Sequence, residues 1–143
     1  MRYKKTIMAA SLFLFLSSLV TVVDRINIPP TTAEVKVLAI KVTLGASKTI
    51  PPHDFRFDGC TLFPEIIFGT NLTQACLMHD IAYWSGGTPA EKQAADQAFK
   101  VAVAQSGRFG TMIAPLAKEA VNIYGDTWLA HVFGAHWGFG WTN

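Results

Sequence analysis

The 143-residue chain has only two cysteines, few charged side chains, and neither an internal repeat nor a low-complexity tract. With two cysteines, at most one disulfide bond can form within the chain. Charged residues make up 15%, whereas half of all residues are hydrophobic, which excludes disorder as the general state. The length fits a single domain that can bury a modest hydrophobic core.

An excess of basic residues is missing from most of the chain. Three of the 12 Lys and Arg residues lie in residues 1–23, which contain no acid. The remainder therefore carries nine basic against ten acidic residues, a formal net charge of −1. Without a basic stripe, nucleic acid is excluded as the expected partner. The sequence does not identify a protein partner.

The N-terminus combines a basic opening, MRYKK, with an apolar run that reaches Val23. This pattern predicts a signal peptide over residues 1–23 and a secreted or periplasmic protein. The run is long and no small-x-small cleavage site follows it, so a membrane anchor formed by residues 7–23 is the alternative. In an exported chain Cys60 and Cys76 most simply form one disulfide, and two buried thiols are the other reading.

Residues 24–57 are predicted to form a spacer and a β-strand region. Residues 25–33 are rich in Pro and Thr, and residues 34–45 are rich in Val and Ile, alternate in part, and end at a glycine. The second segment therefore predicts a strand. Residues 46–65 contain three prolines and a glycine, which predicts a loop placed before a helix, where binding sites are often built.

Helical periodicity dominates the rest of the chain. A first helix is expected from about Asn71 to Gly86, where two glycines end it. The TPAE motif at residues 88–91 predicts the start of a second helix that runs to about Gln105. A third is expected to start near Ala114. The short turn makes the first two antiparallel, so the fold class is mainly α with a short N-terminal strand region.

An imidazole and a carboxylate stand side by side in the first helix, at His79 and Asp80. Neighbouring residues point about 100° apart around a helix axis, so each should meet a different partner. His79 can face the second helix, where Asp96 is an acid set among apolar residues and needs a partner. Asp80 can face the preceding loop.

That loop could supply the ligands of a cation. If Cys60 bonds to Cys76, the loop is held one helical turn from Asp80, and Asp58 becomes a possible second carboxylate. Asp58 also suits a simple Asp-Gly turn. Carboxylates beside free backbone carbonyls suit a hard cation, and Ca²⁺ is the usual one outside the cell. A histidine that takes a proton from water beside such a cation predicts direct ester hydrolysis.

The pattern C-x-x-H-D-x-x-Y, formed by Cys76, His79, Asp80 and Tyr83, resembles the active-site helix of secreted phospholipase A2. The DGC motif at residues 58–60, the cysteine spacing, the paired glycines after the helix and Asp96 are similar to the small bacterial and fungal branch. The resemblance covers residues 58–105, about a third of the chain.

The resemblance implies a phospholipase A2-like helical domain over residues 58–143, with helices tethered by a Cys60–Cys76 disulfide. It implies calcium-dependent hydrolysis of the sn-2 ester of glycerophospholipids at a membrane surface. His79 would be the general base, and Asp96 would orient it and accept a hydrogen bond from Tyr83. The implied calcium ligands are the carboxylates of Asp80 and Asp58 and the carbonyls of Gly59, Thr61 and Phe63.

Two other functions fit parts of the sequence. The segment CTLFPE replaces the glycine-rich calcium loop of the animal enzymes, which leaves a non-catalytic exported module that binds membranes or a partner as the alternative. A His-Asp doublet also marks HD-type metal phosphohydrolases, which would use His53 and Asp126 as further ligands, but the cysteine spacing and export signal argue against them.

His131 and His136 show no diagnostic metal spacing. The tryptophans of the C-terminal tail suit packing or a lipid interface.

Overall fold

The computed structural model describes residues 32–57, 59–61, 63–125 and 127–142. The predicted leader, most of the spacer, Asp58 and Asp126 lie outside the described residues. The described part contains five helices and a two-stranded sheet: α1 (Thr32–Gly45), β1 (Ile66–Ile67), β2 (Thr70–Asn71), α2 (Thr73–Ser85), α3 (Pro89–Gln105), α4 (Gly110–Tyr124) and α5 (Trp128–Val132). The prediction of a mainly helical chain is confirmed.

Helices α2 and α3 form the antiparallel pair that the sequence predicts. Tyr83, near the end of α2, lies beside Lys92 in the second turn of α3, whereas Cys76, two turns earlier, shares a core cluster with Val103 near the end of α3. The Thr88 hydroxyl accepts from the Glu91 amide and the Glu91 carboxylate accepts from the Thr88 amide, so the predicted capping box is present. These two hydrogen bonds satisfy backbone N–H groups at the N-terminus of α3 and stabilise its first turn.

The predicted strand over residues 34–45 is wrong, because this segment is helix α1. Its buried residues, Val35, Ala39 and Thr43, recur every fourth position, which is one stripe of a helix rather than one face of a strand. The stripe packs on a cluster that includes Phe55, Leu77, Ile81 and Trp84. The two described strands are two residues long and pair only with each other, so neither offers an edge partner to residues 34–45. As a helix, α1 satisfies its backbone hydrogen bonds within itself.

Two boundaries also differ from the sequence prediction. Residues 66–71, which span the gap between the predicted loop and the start of the predicted first helix, form a short hairpin, and Asn71 accepts a hydrogen bond from the Thr73 amide instead of forming a capping box with Gln74. The third helix begins at Gly110, not near Ala114, so Pro115 lies inside it on the exposed side. A side chain at Gly110 would collide with the Val103 carbonyl, which shows how closely α4 starts against α3.

A disulfide joins Cys60 to Cys76 and ties the loop before the hairpin to α2. Both cysteines belong to the core cluster between α2, α3 and α4, which also contains Leu72, Phe99, Val103 and Ile113. Closing a loop of this size stabilises the fold by about 3 kcal/mol through the unfolded chain. No helix in the described ranges is long and apolar enough to cross a bilayer.

Candidate active site

His79, Tyr83 and Asp96 form one buried hydrogen-bonded cluster between α2 and α3. His79 Nε2 lies 3.0 Å from Asp96 Oδ1, and the Tyr83 hydroxyl donates to the same oxygen at 2.8 Å. His79 and Tyr83 are one turn apart in α2, so both side chains reach the single carboxylate from the same face. The contact expected between His79 and Asp96, and the Tyr83 hydrogen bond implied by the resemblance, are therefore both present.

Aromatic rings hold the His79 imidazole in place. Its centroid lies 4.2 Å from that of Tyr83 and 4.7 Å from that of Phe99, and only 8% of the residue is exposed. Trp137 meets the Tyr83 ring edge-on at 5.2 Å, and its indole donates to the Gly87 carbonyl. Because these contacts leave the imidazole little rotational freedom, its two nitrogens keep distinct surroundings.

The cluster favours a neutral imidazole beside an ionised carboxylate. Burial lowers the pKa of His79 below its ordinary value and outweighs the opposing effect of Asp96. Burial by itself raises the pKa of Asp96, but the hydrogen bonds from His79, Tyr83 and Lys92 bring it below its ordinary value. A neutral His79 that donates Nε2–H to Asp96 has its lone pair on Nδ1 and can accept a proton there.

Lys92 is a member of this cluster that the sequence prediction missed. Its ammonium lies 3.2 Å from Asp96 Oδ2 and 5.6 Å from the centre of the Tyr83 ring. The signal was present in the sequence, since Lys92 and Asp96 are four residues apart and therefore neighbours on one face of α3.

Asp80 lies in the wall of a cavity of about 150 Å³. The cavity wall includes Asp80 and His79 from α2, Thr61 and Phe63 from the disulfide-held loop, and Phe99 from α3. The disulfide-bonded Cys60 and Cys76 and the Tyr83 side chain also line it. The remainder of the wall is mostly apolar and comes from α4 and the segments on either side of α5, through Ala117, Ala120, Val121, Tyr124, Gly125 and Ala135. One apolar cavity thus brings together the histidine, the adjacent carboxylate and the loop.

The residues at this cavity fit a hard cation by the kind of donor that they offer. Asp80 contributes a carboxylate, and Thr61 and Phe63, which lie outside any helix or strand, line the same cavity. Gly59 lies beside the Glu65 carboxylate and has a φ of +92°, so a side chain there would strain the backbone. In the described ranges no three His, Cys, Asp or Glu side chains gather into a metal-holding group, and Asp58 lies outside those ranges. A cation here would therefore depend on carbonyl oxygens as well as Asp80.

The C-terminal segment is bonded to the end of α2. Gly138 N–H donates to the Tyr83 carbonyl at 2.7 Å, and Gly140 N–H donates to the Trp84 carbonyl at 3.2 Å. The Trp141 indole donates to the Ser85 carbonyl. These bonds satisfy the carbonyls that a helix leaves open at its C-terminus and place residue 135 at the cavity wall. The tail tryptophans are thus partly packing residues, but Trp128 stays exposed.

The three other histidines lie apart from His79. His53 borders a second, smaller pocket with Lys36 and Trp84. His131 and His136 stack on each other with ring centroids 4.0 Å apart, and His136 Nε2 lies 2.7 Å from the Thr142 hydroxyl. None of the three lines the cavity of His79 and Asp80, so the described residues offer no support for an HD-type arrangement that uses His53.

Searches of protein families, of curated proteins and of solved structures find no match to this chain.

Proposed function

We propose that the protein is a calcium-dependent lipid esterase that hydrolyses the sn-2 ester of glycerophospholipids. The observation that carries the proposal is the Asp96 carboxylate, which accepts from both His79 and Tyr83 behind a cavity that also contains Asp80. A buried carboxylate that orients a neutral imidazole is the arrangement of a general base. Cys60 and Cys76 at the cavity are bonded to each other and cannot act as thiol nucleophiles. Water is the proposed nucleophile.

Each residue has a definite task in this reaction. His79 Nδ1 takes a proton from water while the water oxygen bonds to the ester carbonyl carbon. Asp96 holds the imidazole in the required tautomer and stabilises the positive charge that it gains, and Tyr83 fixes the same Asp96 oxygen. His79 then returns the proton to the alkoxide as the ester C–O bond breaks, which yields a fatty acid and a lysophospholipid.

Calcium would be held by Asp80 together with the side chain of Asp58 and the backbone carbonyls of Gly59, Thr61 and Phe63. When bound, it supplies positive charge for the oxygen of the attacked carbonyl. The Cys60–Cys76 disulfide supports this assignment, because it fastens the loop to the helix that carries Asp80.

A phospholipid surface is the proposed partner. Helix α4 forms part of the cavity wall with Ala117 and Val121 and exposes Met112 and Leu116 elsewhere. The following segment exposes further large apolar side chains: Trp128, Val132 and Phe133. Exposed aromatic and aliphatic side chains on a helix that lines the cavity, and in the segment after it, suit a membrane interface, where the substrate's acyl chains are already present.

The function is tested by fatty-acid release from phosphatidylcholine vesicles in calcium and in chelator. His79→Gln removes the base, so we expect release to fall at least about 100-fold. His53→Gln is the matched control, since His53 is exposed and lies outside the cavity. Release that persists in chelator contradicts the calcium assignment, and release that persists in His79→Gln contradicts the mechanism. Calcium binding without any release by the wild type indicates the non-catalytic alternative.

A further inference from the structure

Lys92 contacts the oxygen of Asp96 that His79 and Tyr83 leave unused. Asp96 Oδ1 accepts from the two α2 side chains, whereas Oδ2 lies 3.2 Å from the Lys92 ammonium. Lys92 is 9% exposed and Asp96 is 3% exposed, so this ion pair is buried rather than part of the solvated surface. A lysine is seldom so buried without a charged partner.

The charge balance of the cluster depends on Lys92. The titratable groups seen to face Asp96 are His79 and Tyr83 from α2 and Lys92 from its own helix. With a neutral imidazole and a neutral phenol, the only positive charge among them is the Lys92 ammonium. A buried carboxylate without a compensating charge tends to take up a proton.

A protonated Asp96 would reverse the hydrogen bond to the imidazole. It would donate to Nε2 instead of accepting from it, and the neutral ring would then carry its proton on Nδ1. Nδ1 is the atom that must accept the proton from water in the proposed reaction. Lys92 therefore bears on catalysis although it does not line the cavity.

We propose that Lys92 is a positioning residue: its ammonium neutralises the buried Asp96 carboxylate and holds Oδ2, so that Oδ1 stays an acceptor for His79 and Tyr83. Its catalytic meaning rests on the proposed esterase function. Its effect on Asp96 does not, because the charge pair exists whether or not the protein turns over a lipid.

Three variants separate the charge of Lys92 from its packing. Lys92→Met keeps an unbranched stem beside Tyr83 and removes the charge, whereas Lys92→Arg keeps the charge. Lys92→Gln serves in place of the Met variant if that chain does not fold, since its amide can still donate without a charge. Lys100→Met is the matched control, because Lys100 is also four residues from Asp96 on α3 but is only half-buried, and the Asp96 carboxylate pairs with His79 and Lys92 instead.

The first measurement is the pKa of Asp96, read in the full-length protein from the ¹³C shift of its carboxyl carbon and assigned with Asp96→Asn. Lys92→Met should raise this pKa by at least about one unit, and Lys92→Arg should leave it near the wild-type value. Lys100→Met should leave the Asp96 pKa unchanged. An Asp96 pKa that is the same in wild type and Lys92→Met overturns the proposal.

The second measurement is kcat and KM on a dispersed short-chain phospholipid. Lys92→Met should lower kcat about 10- to 100-fold with KM nearly unchanged, and Lys92→Arg should recover most of the loss. A folded Lys92→Met variant with wild-type kcat, or an Arg variant as impaired as Met, overturns the positioning role. If the wild type releases no fatty acid but the Asp96 pKa still rises in Lys92→Met, the esterase function fails while the charge-balancing role stands.

Discussion

Reduction of the Cys60–Cys76 disulfide should destabilise the protein by an amount that can be worked out from the chain. The two cysteines are 16 residues apart. The entropy of closing such a loop in the unfolded chain is about 10 cal/mol/K, which corresponds to about 3 kcal/mol at room temperature. The described part of the chain has about 110 residues, which corresponds to an unfolding entropy of about 0.23 kcal/mol/K, so the melting temperature should fall by about 13 °C.

The assay is thermal unfolding followed by circular dichroism, with and without a reductant, and thiol titration to show that reduction is complete. The melting temperature of the double variant Cys60→Ala/Cys76→Ala should fall slightly further, because both sulfurs are buried in the core and their removal leaves a cavity. A Tyr83→Phe variant, which keeps the bridge, should show the same drop on reduction as the wild type. A melting temperature that moves by less than about 3 °C after full reduction would refute the reasoning.

Two further predictions concern the cluster around His79. Gly125→Ala should displace the Tyr83 hydroxyl, because the added methyl would lie 2.7 Å from that oxygen, and we expect unfolding to become easier by about 1–3 kcal/mol in a denaturant titration. An unchanged midpoint would contradict this close contact. Because the pKa of His79 is lowered in the folded state, the unfolded chain binds more protons, so stability is full above about pH 6.5 and falls as the pH drops below it. The unfolding free energy should change by at most about 1.4 kcal/mol per pH unit between the unfolded and folded pKa values of His79. This pH dependence should flatten in His79→Gln. A His79→Gln protein with the wild-type pH dependence would show that another group is responsible.

The helix pair and its ion cluster could be predicted from sequence because local signals agreed with one another. The capping box at Thr88 and the glycines before it fixed where one helix ends and the next begins. Once the pair is antiparallel, His79 and Asp96 lie opposite each other, and a buried acid needs such a neighbour. The Tyr83 hydrogen bond depended on the family resemblance, whereas Lys92 could have been read from its four-residue spacing to Asp96.

Helix α1 could not be predicted in the same way, because Val and Ile favour a strand locally while tertiary packing decides the outcome. Its buried stripe is recognisable only when its partners, such as Phe55 and Trp84, are known. The bonds from Gly138 and Gly140 to the end of α2 were equally hidden, since they join backbone groups more than 50 residues apart. Gly140 can approach Trp84 this closely because it has no side chain. A Cβ atom at Gly140 would lie 2.5 Å from the Trp84 ring.

The most direct test of the central claim is positional analysis of the fatty acid released from a glycerophospholipid with different acyl chains at sn-1 and sn-2. The account predicts that the wild type releases the sn-2 chain in calcium, that chelation stops the release, and that His79→Gln releases almost none. Release of the sn-1 chain at a comparable rate, or equal release by wild type and His79→Gln, would contradict the assignment of His79, Asp96 and Asp80 to this reaction.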